Sequence, residues 1–528
     1  MNLSRDRLLR KGDYVLGSFI KPEHVDGYIN AVNPGDRSDL LGRFPFSARS
    51  VDDAVDAATI GALKWRRLGL MDRAAAVRRF REQLQTQSEA LARLVTRENG
   101  KPLWEARQEV AAALRTIDLY LDDGLGLIAP RVLEEIGART DHLPRGVVGI
   151  VCPYNLPVQL AVATSVAAVL CGNAVVMKPS KFTPGIGQAI AELWDRCKLP
   201  RGVFNLVQGS ASVVGTRLVA HPGLDALVFV GGYESAREVR RATVERPELP
   251  SLFMTGGKGI ALVLDDAEVD RAVYEILVGA CLTTGQRHNS TARVIVTDAA
   301  WNTVVPELVR RAGRLQIGYG LSADTFMGPV ISENFRSRYK KYGRAIMQKG
   351  HKAHVEADSV EVAGLRGNYV RAAIYEMDWR SGNGFLNDEP PGPTILLYRV
   401  GDWQEAVHLH NQALYRLCAS VFTKLDNPCL GEVKEGLRTG ALNINRSTIG
   451  TSLRLPAVGL GRAGNGVVAG MELLRVLTYP RAGITETRAF DAAHLVPGVG
   501  WSDFAHAAEP STHDEEGDLS GALELSGE

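Results

Sequence analysis

Six cysteines, Cys152, Cys171, Cys197, Cys281, Cys418 and Cys429, are the side chains with the most versatile chemistry in the chain. They are scattered, with no CxxC and no spacing that pairs them with histidines. That pattern predicts reduced thiols in a cytoplasmic protein and argues against a disulfide framework or a zinc site. A second reactive set lies in the segment Gly285 to Ser290. His288 offers an imidazole able to add to carbonyls or to move a proton, and Ser290 offers a hydroxyl two residues on. No carboxylate in the motif orients the ring, as an activated triad requires, and a packed, inert imidazole is the simpler reading. Asn155 can serve as an electrophilic stabiliser or as the cap of a helix starting at Leu156, and position alone favours the cap. Gly231-Gly232 permits close backbone approach to a phosphate, or simply turns a strand into a helix.

These residues sit at joints between strands and helices. From Arg145 onward, β-branched runs alternate with helix-length segments, the pattern of a parallel sheet with right-handed crossovers. Strands are predicted at Val147 to Cys152, Ala174 to Met177, Phe204 to Val207 and Ala226 to Val230. Helices are predicted at Leu156 to Cys171, at Pro184 to Cys197 with Thr183 as N-cap, and at Ala211 to Ala220. Such an alternation is a nucleotide-binding type of α/β domain. Residues 50 to 122 read as mostly helical, with Asp52, Asp53 and Asp72 near segment starts and an amphipathic run from Arg73 to Leu94. A second β/α series begins beyond Met254, with strands at Ile260 to Leu264 and Arg293 to Val296 and a helix from Val269 to Thr284. It is expected to run to about residue 430.

A chain of 528 residues holds about three domain-sized units. With 45% hydrophobic and 23% charged residues it is neither wholly disordered nor collagen-like nor embedded in a membrane. The 54 glycines, without low complexity, suit many tight strand-to-helix transitions. The net charge of +1 conceals an asymmetry, because no Lys or Arg follows Arg488 whereas nine acids do. The positive excess that this leaves upstream is dispersed without a basic block, so no nucleic-acid footprint is expected. The first residues lack the apolar core of a signal peptide. The apolar stretch from Val158 to Met177 is interrupted by Gln159, Thr164 and Ser165 and divided at Gly172-Asn173, which disfavours a membrane span. The segment from Glu509 to Glu528 holds seven acids among Leu519, Leu523 and Leu525 and reads as a solubilising extension, or else as a docking segment for a protein partner.

Taken in order, several segments spell a family. LPRGVVGIVCPYNLP at 143 to 157, KPS at 178 to 180, LPRGVFNLVQG at 199 to 209 and TGGKG at 255 to 259 resemble the aldehyde dehydrogenase superfamily. So do TGQRHNSTARVIV at 284 to 296, NDEPPGP at 387 to 393 and GALNIN at 440 to 445. The likeness runs over about residues 20 to 487. Within it, GKPLWEA at 100 to 106, GQR at 285 to 287 and RAGNG at 462 to 466 look most like the succinylglutamate-semialdehyde dehydrogenase branch. The resemblance implies an α/β fold with a Rossmann-type nucleotide-binding domain at 1–124 and 148–252 and a catalytic-type α/β domain at 253–440. It further implies a small β oligomerisation arm at 125–147 and 472–487, leaving an acidic tail at 488–528 that reads as disordered.

In that family a cysteine thiolate adds to the aldehyde carbonyl, hydride leaves for the nicotinamide, and a carboxylate-activated water hydrolyses the thioester. An Asn amide and a backbone N–H hold the oxyanion. The resemblance puts Asn155 in that oxyanion role and overrides the capping reading. It places His288 where relatives have the nucleophilic Cys, in a stretch that aligns without gaps through Arg293. Cys281 lies seven residues earlier, about 10 Å along a helix, and is no substitute. Met254 stands where relatives have the general-base Glu, and a thioether cannot take a proton from water. Loss of a covalent nucleophile costs roughly 10⁴ to 10⁶ in rate.

For the cofactor, the resemblance implies contacts from Tyr154, Lys178, Ser180, Lys181, Gly231, Gly232, Ala236 and Glu389. Lys178 matches the adenosine-ribose contact and Glu389 the nicotinamide-ribose contact. Lys181 stands where NAD-preferring members often carry an acid, which favours a 2′-phosphate and hence NADP over NAD. Gly232 and Ala236 replace the Ser and the last Gly of the family pattern FTGSxxxG, and Pro391 replaces a Phe beside the nicotinamide, so binding is expected to be weak or lost. The resulting expectation is a catalytically degenerate aldehyde dehydrogenase-like protein, kept as a nucleotide-binding or assembly subunit and forming a homodimer or higher oligomer. The alternatives are an active NAD(P)-dependent semialdehyde dehydrogenase with a non-standard nucleophile, and a His288-dependent esterase.

Overall fold

A computed structural model describes residues 11–491 except 381 and 383, together with 496, 498 and 499. Most of the tail expected at 488–528 lies outside the described residues, including all of 509–528. The first of two seven-stranded sheets has the order Ser251–Met254, Ala226–Val230, Val147–Val151, Ala174–Lys178, Phe204–Leu206, Asp13–Val15, Ser18–Ile20. The first five strands are parallel. The two N-terminal strands join the far edge antiparallel. The chain builds outward from Val147–Val151 in one direction, then returns to add Ala226–Val230 on the other side. A topological switch point therefore lies between the C-terminal ends of these two strands, where open α/β sheets bind ligands. Ala174–Lys178 and Ala226–Val230 are buried along their whole length, which is why they read as unbroken apolar runs and not as alternations.

Four helices, Arg49–Trp65, Leu70–Thr86, Ser88–Asn99 and Leu103–Asp122, fill the region expected to be helical. The run from Arg73 to Leu94 is not continuous, because Gln87 breaks it at φ −98 and ψ 8. Two further helices start or stop short of their predicted bounds: the one expected from Leu156 is Gln159–Leu170, and Pro184–Asp195 ends before Cys197. The segment 211–220 is a π-helical turn, Ala211–Gly215, followed by a single α-turn, Thr216–Val219.

Both site-bearing helices are capped by carboxylates from elsewhere in the chain. Thr183 holds the N-cap position of Pro184–Asp195, but its side chain caps nothing. Instead Glu98 accepts the N–H groups of Gly185 and Ile186, each at 2.8 Å. Burial pushes the Glu98 carboxyl up to about 8 against the pull of those bonds. Glu109 accepts from the N–H groups of Val158 at 2.8 Å and Gln159 at 3.2 Å. Its other oxygen accepts from the buried Lys101 ammonium. An acid at a helix start meets both the unpaired N–H groups and the positive end of the helix dipole.

The second sheet has the order Lys352–Val355, Ala373–Met377, Thr394–Val400, Thr291–Thr297, Gly259–Val263, Cys418–Phe422, Ala441–Ile444. All its pairings are parallel except the first. The β/α series thus extends past 430 to Ile444. The helix expected to reach Thr284 ends at Cys281, because Thr283 and Thr284 both take left-handed backbone angles, φ 54 and 53.

Among the described residues, one compact unit comprises 11–131 together with 140–481, and a second comprises 132–139 and the residues from 482 onward. Arg131–Leu133, Ala138–Pro144 and Thr478–Ile484 are further strands of the chain. Within the second unit the Thr485 N–H donates to the Gly137 carbonyl at 3.1 Å, and Val132, Ile136 and Ile484 are exposed. Among the described residues no helix is long and apolar enough to cross a membrane.

Replacing Glu109 with Ala strips the start of Gln159–Leu170 and leaves the buried Lys101 ammonium without its hydrogen-bonded carboxylate. Urea unfolding should show a loss of about 3 to 5 kcal/mol for Glu109→Ala, with a smaller loss for Glu109→Gln, which keeps an acceptor.

Candidate active site

The loop from Thr283 to Ser290 carries His288, and its shape is imposed from outside. Two successive β-branched residues in the left-handed region cost roughly 1 to 2 kcal/mol each. Glu105, wholly buried, offsets that cost. It accepts the Thr283 N–H at 3.1 Å and the Thr283 hydroxyl at 2.5 Å. Arg287 closes the brace, donating to Glu105 at 2.7 Å and to Thr283 Oγ1 at 2.9 Å. Burial raises the Glu105 carboxyl, but Arg287, Lys101 and the Thr283 hydroxyl more than reverse this, and its pKa falls below the ordinary value. Gln286 bridges outward, accepting the Ile331 N–H at 3.0 Å and donating to the Thr283 carbonyl at 2.9 Å.

A second turn packs against this loop. Gly256, Gly257 and Lys258 are left-handed in succession, with φ of 75, 113 and 70. A side chain at Gly256 would lie 2.7 Å from the His288 Cβ, and one at Gly257 would strike the Tyr415 ring. Glycine is required there for approach as well as for φ. The Lys258 N–H donates to the His288 carbonyl at 2.9 Å, and its ammonium donates to the Gly285 carbonyl. Met254, just upstream, ends the edge strand of the first sheet, and its carbonyl accepts the Gly231 N–H at 3.1 Å. The RAGNG segment braces its neighbours: Asn465 bonds Phe253 and Ser251, and Thr255 bonds the carbonyls of Arg462 and Ala463.

Asn155 caps no helix. The donors at the start of Gln159–Leu170 belong to Glu109, and Asn155 Nδ2 instead donates to the Gln286 carbonyl at 2.9 Å. Its Oδ1 is buried without a partner. The structure therefore brings Asn155 to the loop of residue 288 and gives it no capping role. His288 Nδ1 and Ser290 Oγ are likewise buried and unpartnered, so the two do not form a hydrogen-bonded dyad. Burial first, then Arg287 and Lys258, push the imidazole down to about 4, and it is neutral at neutral pH.

Two described thiols, Cys281 and Cys418, bear on this loop. Cys281 is fully buried and its pKa is pushed up to about 12 by burial. The thiol hydrogen-bonded to the loop is Cys418, which sequence reasoning passed over. It donates to the Thr448 carbonyl at 3.0 Å and lies 3.9 Å from the Asn289 carbonyl. It too is buried and raised to about 12. A buried thiol in that range is inert.

Of the cofactor residues expected from the sequence, Lys178 ends the strand beside Val147–Val151, and Gly231 and Gly232 follow the strand on the other side of the switch point. Lys178 ends its strand buried, its ammonium donating to the Pro179 carbonyl at 3.1 Å, and burial lowers it to about 8. Ser180 accepts the Phe182 N–H at 3.2 Å, and Lys181 is exposed with its ammonium 5.3 Å from the Phe182 ring centre. Tyr154 meets Phe182 and Phe335 edge-on. Gly231 and Gly232 follow Ala226–Val230, and a side chain at Gly232 would meet open space, so the turn presents bare backbone. Ala236 is buried one turn into the helix Tyr233–Ala242. Glu389 keeps a solvent-facing side, and burial raises its carboxyl against the pull of Lys258, Arg293 and Arg338. Pro391 is half-buried in the same loop. Bare glycine backbone at a switch point, with lysines beside it, suits a dinucleotide. Sequence reasoning missed the supporting residues Glu105, Lys258, Arg287 and Arg293, although each lies inside a segment that carried the resemblance.

The aldehyde dehydrogenase family model matches residues 19–482. The chain is 30% identical over 453 residues to an alpha-ketoglutaric semialdehyde dehydrogenase of Bacillus subtilis, across 85% of this chain and 92% of that one. It is 31% identical over 477 residues to an N-succinylglutamate 5-semialdehyde dehydrogenase of Chromobacterium violaceum, across 88% and 95%. Among solved structures, an E. coli NADP dependent enzyme superposes with a TM-score of 0.83 at 27% identity, covering 90% of this chain and 98% of that one.

A histidine whose pKa falls on folding lets the unfolded chain bind more protons, so stability rises with pH between about 4 and 6.5 and is lost as pH falls through that window. His288→Asn should flatten the difference in unfolding free energy between pH 5 and pH 7 by about 1 to 2 kcal/mol. An unchanged difference would mean that the ring titrates normally.

Proposed function

The chain belongs to the aldehyde dehydrogenase family, and from that premise we propose that it is a catalytically degenerate member, kept as a nucleotide-binding or assembly subunit. The observation that carries this reading is the imidazole at 288, neutral, without a proton partner on Nδ1, and seated in a loop whose bracing is complete. With Met254 in place of an acid, no group there activates water. The semialdehyde dehydrogenases among its relatives indicate the substrate class from which it departed.

A bound nicotinamide dinucleotide would supply a hydride acceptor. Toward it, the turn at Gly231 and Gly232 would let the phosphates approach the backbone, with the Gly231 N–H itself held by the Met254 carbonyl, and Lys178 and Glu389 would hold the two riboses. Lys181, exposed, offers a cation to a 2′-phosphate, which favours NADP, the cofactor named for the E. coli relative. Tyr154, Ser180 and Ala236 shape the surrounding walls. Val132, Ile136 and Ile484, exposed on the second unit, support pairing of copies into a homodimer or larger assembly.

Purified protein incubated with NAD or NADP and either succinylglutamate semialdehyde or simple aldehydes should form no reduced cofactor above roughly 10⁻⁴ of ordinary dehydrogenase rates. Turnover at about 1 s⁻¹ or faster would refute the degenerate reading in favour of an unrecognised nucleophile. Ester hydrolysis abolished by His288→Ala would favour the hydrolase. The double change Met254→Glu with His288→Cys should restore weak activity. Calorimetry should find NADP bound more tightly than NAD, with Lys181→Glu reversing the order; tighter NAD binding by the unaltered protein contradicts the role of Lys181.

A further inference from the structure

The end of the first sheet opposite the switch point carries a surface that the dinucleotide reading does not use. The helix Arg49–Trp65 finishes there, because Gly61 packs on Gly202 and Val203, just ahead of the strand Phe204–Leu206. A side chain at Gly61 would lie 2.3 Å from the Gly202 carbonyl carbon. The helix Leu70–Thr86 is tied to the same end by Arg79, whose Nε donates to the Cys197 carbonyl at 3.2 Å. Between the two helices the chain turns sharply, the Leu68 N–H donating to the Trp65 carbonyl at 3.1 Å.

Aliphatic side chains stand out from this turn. Leu63 is 55% exposed and Met71 61%, with Leu68 and Ile60 exposed beside them in sequence. The core does not need them, since the buried stripe of Arg49–Trp65 is already made by Val51, Ala54, Val55, Ala58, Ala62 and Trp65. Four exposed aliphatics within 60–71 form a patch, whereas scattered single ones would call for no explanation.

The charges among them are mostly of one sign. Lys64, Arg66 and Arg67 are exposed, and none has a carboxylate within ion-pair distance among the described residues. The same holds for Arg78 on the second helix and for Arg196, Lys198 and Arg201 in the segment that leads into Phe204–Leu206. Against them stand Asp72, Glu82 and Asp195, the last accepting the Tyr14 hydroxyl at 2.9 Å. The acids of Arg49–Trp65, Asp52, Asp53 and Asp56, fall in its first half, so the helix grows basic toward the patch.

Protruding aliphatics among unpaired cations match an anionic bilayer surface. The aliphatic groups enter the boundary of the acyl chains, and the long basic side chains reach the headgroup phosphates. An acidic protein would answer the cations too, but it would need pockets shaped for Leu63 and Met71, whereas a bilayer yields to any shape.

We propose that this end of the first sheet is a peripheral docking surface for an anionic lipid bilayer, with Leu63, Leu68 and Met71 entering the interface and Lys64, Arg66 and Arg67 on lipid phosphates. The switch point lies at the other ends of the strands, so the docked protein keeps its cofactor crevice open to solution.

The test is cosedimentation of the full chain with vesicles of phosphatidylcholine alone and of phosphatidylcholine with about 30% phosphatidylglycerol. Partition onto the anionic vesicles should be at least about tenfold stronger, and should weaken as NaCl rises from about 0.1 to 0.5 M. Arg66→Glu with Arg67→Glu and, separately, Leu63→Ser with Met71→Ser should each weaken it at least about tenfold. All four side chains are exposed, so both double variants should keep the circular dichroism, melting temperature and NADP affinity of the parent. Saturating NADP should not release the bound protein. Equal partition onto both kinds of vesicle, undiminished partition of either double variant, or release by NADP would each overturn the proposal. So would a change in the sedimenting mass of the free protein in either variant, which would make the patch a contact between copies of the chain.

Discussion

The bond set between Glu105, Arg287 and Thr283 is the constraint on which the centre depends. Without a buried carboxylate to receive both the N–H and the hydroxyl of Thr283, two left-handed threonines in a row would relax, and the helix Val269–Cys281 would run on. With it, the chain turns sharply, and the Lys258 N–H and ammonium bond the His288 and Gly285 carbonyls from the opposite side. Residue 288 is thus held by its backbone, whatever its side chain. The scaffold is specified independently of the chemistry it carries, and the chemistry can be lost while the scaffold persists.

The electrostatics of the loop fit this separation. Arg287 and Lys258 lie close enough to depress the His288 imidazole, adding to burial. The same two cations would stabilise an anion at that position, because a nearby positive charge favours a negative form as strongly as it disfavours a positive one. The field suits a thiolate. Acting on an imidazole, it removes the proton that a general acid would need and leaves a neutral ring with no carboxylate to orient it.

Much of this was legible in the sequence, for identifiable reasons. The parallel strands announced themselves because both faces are buried and their residues are uniformly apolar, as at Ala226–Val230. The reactive positions were legible because they sit in short segments whose order and spacing mark a family. What stayed hidden was whatever depends on long-range partners. Asn155 looked like a cap because local sequence cannot show that Glu109, far upstream, already occupies the helix start. Nor can it show that Cys418 is hydrogen-bonded under Asn289 while Cys281, its better-placed rival in sequence, points into the core. The N-terminal strands are three residues each, too short for any periodicity.

The absence of an activated thiol at this centre is most directly tested by labelling the folded protein with iodoacetamide at pH 7.5 and mapping the modified peptides over time, with and without NADP. Cys152, Cys171, Cys197, Cys281 and Cys418 should react at least about a hundredfold more slowly than a free cysteine, because burial holds each thiol near 12. Rapid, stoichiometric labelling of Cys281 or Cys418 that bound NADP prevents would place a working nucleophile beside the loop of residue 288 and contradict the account.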